Sequence, residues 1–167
     1  MTYIVSEDEG EPTGRPDPGM FDGVEAGAVW ERIESYITHR WGVREVVWVA
    51  EGRGVFVPRL KPATITTTEV WRDGGWQEVT LTPTPRGLEL DGLTYRIVAD
   101  VGSGAALPWA VVEAWQRLGA FMSQAKSDPL VGHSGATDGD FSFQRPAAWA
   151  ARAMQLSGAA DMLRGYR

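Results

Sequence analysis

The sequence contains no cysteine and no asparagine among its 167 residues. Without cysteine there are no disulfide bonds and no thiolate metal sites, and without asparagine there is no N-linked glycosylation. No apolar run approaches the roughly 20 residues that a membrane-spanning helix needs. The first residues lack the basic and apolar regions of a secretory signal peptide. We therefore expect a protein that is made in the cytoplasm and does not enter a membrane.

The net formal charge of −6 is concentrated at the start of the chain. Residues 1–25 carry seven acidic side chains and one basic side chain, Arg15, so the remainder of the chain is neutral by count. A segment of acids, prolines and glycines without apolar periodicity is typical of a solvated arm. We predict a flexible acidic arm over residues 1–23, with a surface that repels nucleic acid or meets a basic partner as the functional alternative. The sequence has no basic patch of the kind that binds phosphates.

Two helices and a β-rich middle are predicted from apolar periodicity and turn signals. Helical spacing indicates a first helix over about 24–41 and a second over about 108–125. Between them, β-branched and aromatic runs are separated by turn signals, the strongest being Asp73-Gly74-Gly75 and Asp91-Gly92. Several prolines argue against a long continuous sheet. The predicted fold class is α+β, with two main helices flanking a small antiparallel β-sheet or hairpin region and an extended C-terminal helical arm.

These elements predict four segments along the chain. They are a flexible acidic N-terminal arm (1–23), a core domain (24–125), a linker (126–145) and a C-terminal helical arm (146–167). Within the core domain, we expect Ile33 and Trp115 to be buried where the two main helices pack together.

The C-terminal arm is an alanine-rich segment with a narrow apolar stripe at helical spacing, which Gly158 is expected to interrupt. A helix of about 12–15 residues is marginal in water, so this one needs a surface to pack on. We predict that the arm docks on a partner, with its arginines facing acids there; docking on its own core is the alternative. The predicted partner-binding residues are Trp149, Arg152, Ala153, Leu156, Ala160, Leu163, Arg164, Tyr166 and Arg167.

A search for catalytic chemistry finds no convincing constellation. The only histidines are His39 and His133, and the segment around His133 lacks the final glycine of a G-x-S-x-G nucleophile elbow. Asp138-Gly139-Asp140 offers two carboxylates, too few for a calcium cage. Gly102-Ser103-Gly104 lacks the spacing of a dinucleotide-binding turn. We expect no enzymatic activity, no metal and no cofactor.

The eight tryptophans fall on every predicted element. Filling of the core accounts for most of them, and tryptophan is also enriched where partners bury it. Trp149 is the predicted interface anchor. A tryptophan-rich binding module, for example for carbohydrate, remains an alternative interpretation.

Three segments resemble the head–tail connector (adaptor) proteins of tailed bacteriophages and gene transfer agents. They are SYITHRWG (35–42), VPRLKPATITTTEVWRDGGWQEV (57–79) and LTYRIVADVGSGAALPWAVVEAWQRLGAFM (93–122). The first resembles the helix that closes before the first strand. The second resembles the proline-led strand and hairpin, and the third resembles the strand, glycine turn and proline-started main helix. The resemblance covers about residues 24–125.

This resemblance implies a structural protein of the virion neck. Copies would form a twelve-fold ring with their neighbours, dock on the portal protein and extend the DNA channel towards a stopper or tail protein below. The C-terminal arm would dock on the portal protein or on a neighbouring subunit. DNA would pass through without sequence-specific binding. The resemblance does not separate phage from gene transfer agent. Another neck protein, a stopper or tail terminator, is the alternative; such proteins are typically β-barrels without two long flanking helices, so helix content distinguishes them.

Overall fold

The structure, a computed structural model, describes residues 1–19, 21–127 and 148–167. The chain divides into two compact units. We call residues 1–16 and 38–105 the sheet unit, and residues 17–37 and 106–167 the helical unit. None of the helices in the described ranges is both long and apolar enough to cross a membrane.

The sheet unit contains a six-stranded sheet in which all pairings are antiparallel. The strand order is β1-β2-β6-β3-β4, and β5 also pairs with β6. The strands are β1 (Tyr3–Glu9), β2 (Arg44–Phe56), β3 (Ala63–Arg72), β4 (Gly75–Glu78), β5 (Thr82–Thr84) and β6 (Gly87–Val101).

The two longest strands, β2 and β6, pair from Arg44 opposite Val101 to Phe56 opposite Leu88. Their register shifts once, at Gly52 in β2 and Gly92 in β6, where φ is 99° and 112°. These positive φ values are readily adopted only by glycine. A Cβ at Gly52 would also lie 2.3 Å from the carbonyl oxygen of Met1, too close for any side chain. The glycines therefore kink the ladder without ending it.

The kink closes the core of the sheet unit. Trp48 and Phe56 lie on either side of Gly52 and would be about 26 Å apart along a straight strand. Their ring centroids are 5.7 Å apart, so the sheet bends sharply between them. The bend encloses a core of buried residues from strands β2, β3 and β6 and from the loop after β2: Val46, Trp48, Ala50, Phe56, Leu60, Val70, Leu90, Tyr95, Ile97, Ala99 and Val101.

The β3–β4 hairpin confirms the turn predicted at Asp73-Gly74-Gly75. Asp73 and Gly74 occupy the two turn positions with φ of 51° and 80°, as the common two-residue hairpin turn requires. Trp71 and Trp76 face each other across the turn with ring centroids 5.2 Å apart in an edge-to-face arrangement.

The helical unit consists of α1 (Ala26–Tyr36), α2 (Trp109–Ser127), α3 (Ala148–Leu156) and α4 (Ala159–Met162), followed by a 3-10 turn (Arg164–Tyr166). Helix α1 packs on α2, and Ile33 and Trp115 are buried, as predicted. The Phe21 ring packs on Trp115 with centroids 4.9 Å apart. Gly158, with φ of 76°, separates α3 from α4, which confirms the predicted interruption.

The predicted fold class, two main helices flanking a small hairpin region, is wrong. The described residues form a six-stranded antiparallel sheet and contain more strand than helix. Asp91-Gly92 was expected to turn the chain, but its glycine kinks the continuous strand β6. Pro83 lies in the short strand β5 and interrupts no long ladder, because proline is tolerated at a sheet edge.

The first predicted helix is also too long. It ends at Tyr36, because Ile37 takes an extended conformation, and Trp41 belongs to the sheet unit, where it is buried. The apolar spacing that suggested a helix to residue 41 therefore reflects burial of Ile37 and Trp41 outside any helix.

The acidic head does not form a flexible arm throughout residues 1–23. Its first part is strand β1, paired along β2. The predicted core domain (24–125) has residues in both units. Helix α2 reaches Ser127, and nearly all of the remaining predicted linker lies outside the described residues.

We expect Trp115→Ala to destabilise the protein by about 3–5 kcal/mol, because it removes a large side chain from the buried contact of α1 with α2. Trp109→Ala is the matched control, since Trp109 lies on the same helix but is 71% exposed and should change stability by no more than about 0.5 kcal/mol. Denaturant unfolding of both variants measures the difference. Equal midpoints for the two variants would contradict the core assignment.

Candidate functional site

Strand β1 is held to the sheet by a carboxylate between two arginines. Glu9 accepts hydrogen bonds from Arg40 Nε at 2.8 Å and from Arg44 Nη1 at 2.5 Å. Both arginine side chains are almost fully buried, while that of Glu9 is 26% exposed. Burial alone would raise the pKa of Glu9, but the hydrogen bonds and positive charges of Arg40 and Arg44 outweigh it and lower the pKa below its ordinary value.

A second carboxylate of β1 also faces the core side of the sheet. Glu7 lies opposite Trp48 and accepts a hydrogen bond from its indole Nε1 at 2.6 Å. Trp48 is fully buried, so this contact satisfies the polar atom of a core side chain. The acids that suggested a solvated arm thus include two that fasten β1 to the sheet.

Strand β1 also forms an exposed border of the sheet, which we call the acidic edge. Among the described strands, β1 pairs only with β2, so it forms one border of the sheet. Val5 occupies a bulge in this pairing and is 55% exposed. Glu7, Asp8 and Glu11 are exposed nearby. The acidic edge, defined as Val5, Glu7, Asp8 and Glu11, combines an apolar side chain with three acids.

A second surface on the sheet unit, the basic groove, has the opposite charge. Arg53, Val55, Val57 and Arg59 occupy alternate positions in the last part of β2 and the segment that follows it, and all four are exposed. Three of these residues, Val55, Val57 and Arg59, line a concavity of about 360 Å³. The other lining residues are Thr2, Tyr3, Ile4 and Phe56. This groove was not predicted, although the alternation of two arginines and two valines was visible in the sequence.

The β3–β4 hairpin exposes an aromatic pair. Trp71 is exposed beside Trp76, and the Arg96 guanidinium lies 4.9 Å from the centre of the Trp76 ring. Arg96 also donates a hydrogen bond to Glu69, which lowers the pKa of that carboxyl. The tryptophan pair and this ion pair share one side of the sheet.

The predicted partner-binding residues separate into two groups. Ala153 and Leu163 are buried and Ala160 is partly buried, and α3 and α4 pack against α2 of the same chain. Most of the described part of the apolar stripe therefore packs on helix α2 of its own chain. Docking on the same chain was the alternative to docking on a partner. The side chain of Trp149 lies outside the described residues.

The remaining predicted residues lie at the surface of the helical unit. Leu156 is 54% exposed, and Arg152 lies one turn before it on α3. Arg164 forms an exposed ion pair with Asp161 at 2.8 Å, and the Arg167 guanidinium lies 4.5 Å from the centre of the Tyr36 ring. Tyr166 is partly buried. Arg152 and Leu156 share one side of α3, and Arg164 and Arg167 follow α4. We use the name C-terminal basic face for these four exposed residues.

Trp109 is an exposed aromatic side chain that is not among the predicted partner-binding residues. It is the first residue of α2 and is 71% exposed. One turn later, Glu113 pairs with Arg117 at 2.7 Å. The sequence feature that could have indicated the exposure of Trp109 is Pro108, because proline favours the first turn of a helix. Residues in that turn are less enclosed by neighbours than residues at the centre of a helix.

The described residues contain no group of three or more His, Asp or Glu side chains that could hold a metal ion. The ring centroids of His39 and Trp41 lie 4.4 Å apart, with the ring planes tilted by 40°. Burial, together with the charge of Arg40, lowers the pKa of His39. His133 and the Asp138–Asp140 segment lie outside the described residues. Comparison of the chain with protein-family models, with curated proteins and with solved structures finds no match.

We expect Glu9→Gln to destabilise the protein by about 1–3 kcal/mol at neutral pH, because Arg40 and Arg44 both lose the negative charge of Glu9. The folded-state pKa of Glu9 is lowered, so its stabilising effect is present above the unfolded pKa and is lost as pH falls through the folded value. The stability difference between the parent and Glu9→Gln should therefore shrink below about pH 4.5. Thermal unfolding from pH 7 to pH 3 measures this, with exposed Asp8→Asn as the control. A difference that stays constant with pH would contradict the assignment.

A second pair of variants tests the packing of the C-terminal helices. Leu163→Ala should destabilise the protein by about 2–5 kcal/mol, because Leu163 is fully buried in the helical unit. Leu156→Ala should change stability by no more than about 0.5 kcal/mol. If Leu163→Ala is as stable as the parent in denaturant unfolding, the segment does not pack on its own unit in solution.

Proposed function

We propose that this protein is a structural component of a virion neck, a head–tail adaptor that docks on the portal protein and forms a ring that extends the DNA channel. The observation that carries the proposal is the presence, on both units, of separate exposed apolar side chains bordered by charge. An adaptor in a ring contacts two neighbouring copies, the portal and a protein below, and so needs several distinct surfaces.

The segments that resemble head–tail connectors coincide with the elements that carry such side chains. Residues 57–79 span the β3–β4 hairpin, with exposed Trp71 near its turn. Residues 93–122 run from β6 into α2, where Trp109 is exposed. Tryptophan is enriched among residues that dominate binding energy at protein interfaces, which supports a role for both elements in assembly.

The charge of the chain is compatible with DNA passing through a ring. Its net charge is −6 and the basic side chains are dispersed, so there is little to neutralise phosphates and hold DNA in place. An adaptor of this kind would be located in the virion neck after synthesis in the host cytoplasm.

A second candidate within the same assembly is a stopper or tail terminator. The sheet-rich fold favours it, because the chain has a bent six-stranded sheet and not the two long flanking helices expected of an adaptor. The adaptor remains the first proposal because of the three resembling segments. The two candidates differ in their direct partner, since an adaptor binds the portal and a stopper or terminator binds lower in the neck.

We expect the purified chain to bind purified portal protein encoded in the same gene cluster and to form a twelve-fold ring on it. Native mass spectrometry or electron cryomicroscopy measures the number of chains per portal. The test variants are Trp109→Ala and Trp71→Ala, each of which removes an exposed tryptophan. The control is Arg86→Ala, which changes an exposed residue outside the surfaces described above. At least one exposed-anchor variant, Trp109→Ala or Trp71→Ala, should weaken binding by about tenfold or more, and Arg86→Ala should not.

Absence of portal binding by the folded parent chain would contradict the adaptor assignment. If the chain instead binds a tail or lower neck protein from the same gene cluster, the second candidate is correct. Binding to neither would contradict both candidates.

A further inference from the structure

We propose that the acidic edge of one copy receives the C-terminal basic face of a neighbouring copy. This inference rests on the proposed function, because it names the contact that would link copies within the ring. The occupant is a second copy of this chain, recognised by opposite charges placed around an exposed aliphatic side chain on each surface.

The charges of the two surfaces are complementary. Glu7, Asp8 and Glu11 are exposed on the acidic edge, and Glu7 also accepts the indole hydrogen bond of Trp48. The C-terminal basic face presents Arg152, Arg164 and Arg167, with Asp161 as the acid paired to Arg164. Charges arranged in this way speed association and exclude wrong partners, while adding modestly to affinity.

Each surface also has an aliphatic centre. Val5 is 55% exposed in the bulge of β1, and Leu156 is 54% exposed at the end of α3. Arg152 lies one helical turn from Leu156, and residues at that spacing share a face. Burying two aliphatic side chains between flanking opposite charges reproduces the apolar centre and polar rim of protein interfaces.

The acids exclude the simplest alternative for β1. An exposed edge strand invites pairing with an identical strand, and charged side chains on the edge prevent this. Two copies of β1 side by side would bring Glu7 and Asp8 of each strand, and Glu11 just after it, close to the same acids of the other copy, which like-charge repulsion disfavours. The acidic edge therefore selects a basic partner surface over a second β1.

The basic groove is a less suitable partner for a ring. It is lined by Thr2, Tyr3 and Ile4, so it adjoins β1 itself. Two copies joined through such overlapping patches would form a two-fold dimer, because the same patch would lie on both sides of the contact. The C-terminal basic face belongs to the other unit, so its contact with β1 joins different surfaces and propagates from copy to copy.

Cysteine cross-linking tests the contact cleanly, because the parent chain has no cysteine. Val5→Cys and Leu156→Cys chains are purified separately, mixed at high concentration with a mild oxidant, and analysed by non-reducing electrophoresis and mass spectrometry. We expect the mixed disulfide dimer to form at least about fivefold faster than that of the control pair Val5→Cys and Arg86→Cys. Circular dichroism verifies that each variant is folded.

Charge reversal identifies the cause of the cross-link. Asp8→Arg in the Val5→Cys chain, or Arg152→Glu in the Leu156→Cys chain, should slow the cross-link roughly fivefold, as expected for loss of an exposed ion pair. Combining the two reversals should restore the rate towards that of the parent pair. If single reversals have no effect, or the combination does not restore the rate, the charge-based contact is wrong.

Two further outcomes overturn the proposal. A cross-link no faster than the control pair excludes the contact between copies. A chain carrying both cysteines that closes on itself as a monomer at low concentration shows that the two surfaces meet within one copy.

The same variants separate this inference from the proposed function. If rings form on the portal protein but Val5→Cys and Leu156→Cys do not cross-link there, the contact is wrong and the adaptor assignment stands. If the cross-link forms but the chain does not bind portal, the contact stands and the adaptor assignment fails.

Discussion

The antiparallel pairing of β2 with β6 is the constraint on which the sheet unit depends. Strand β1 pairs with β2, and strands β3 and β5 pair with β6. Strand β4 pairs with β3, so every other strand joins the sheet directly or indirectly through β2 or β6. Its bend at Gly52 and Gly92 brings Trp48 onto Phe56 and closes a core within one sheet. Without the two glycines the ladder would remain open, and its large aromatic residues would have no second layer to pack on.

The acidic N-terminal segment stabilises the sheet with some of its carboxylates and exposes others to solvent. Alternate residues of a strand point to opposite sides, so Glu7 and Glu9 reach Trp48 and the two buried arginines while Asp8 points away. Glu9 stabilises the two buried arginines, because a buried charge is favourable only where opposite charge and hydrogen bonds compensate its desolvation. The fixed backbone that results holds the remaining acids in a defined row. The acidic edge is therefore an ordered surface with its charges at fixed positions.

The C-terminal helices combine stability with exposure in a similar way. Ala153, Ala159 and Leu163 are buried in the helical unit, whereas Arg152, Leu156 and Arg164 are exposed. The buried residues fix the orientation of the segment and thereby the positions of the exposed ones. The segment therefore needs no partner to become ordered, and any partner meets a preformed surface, which lowers the entropic cost of binding.

The sequence by itself determined the features that depend on neighbours along the chain. The Asp73-Gly74 turn, the start of α2 after Pro108, the interruption at Gly158 and the burial of Ile33 and Trp115 follow from local conformational preference and helical periodicity. Only the tertiary structure decided whether Asp91-Gly92 turned or kinked the chain, where helix α1 ended, and whether the acidic head was an arm or a strand. The reason is physical: a glycine with positive φ suits both a turn and a bulge, and a carboxylate is solvated or paired according to what lies opposite. Arg40, Arg44 and Trp48, the partners of Glu9 and Glu7, lie more than 30 residues away along the chain, beyond the reach of any local pattern.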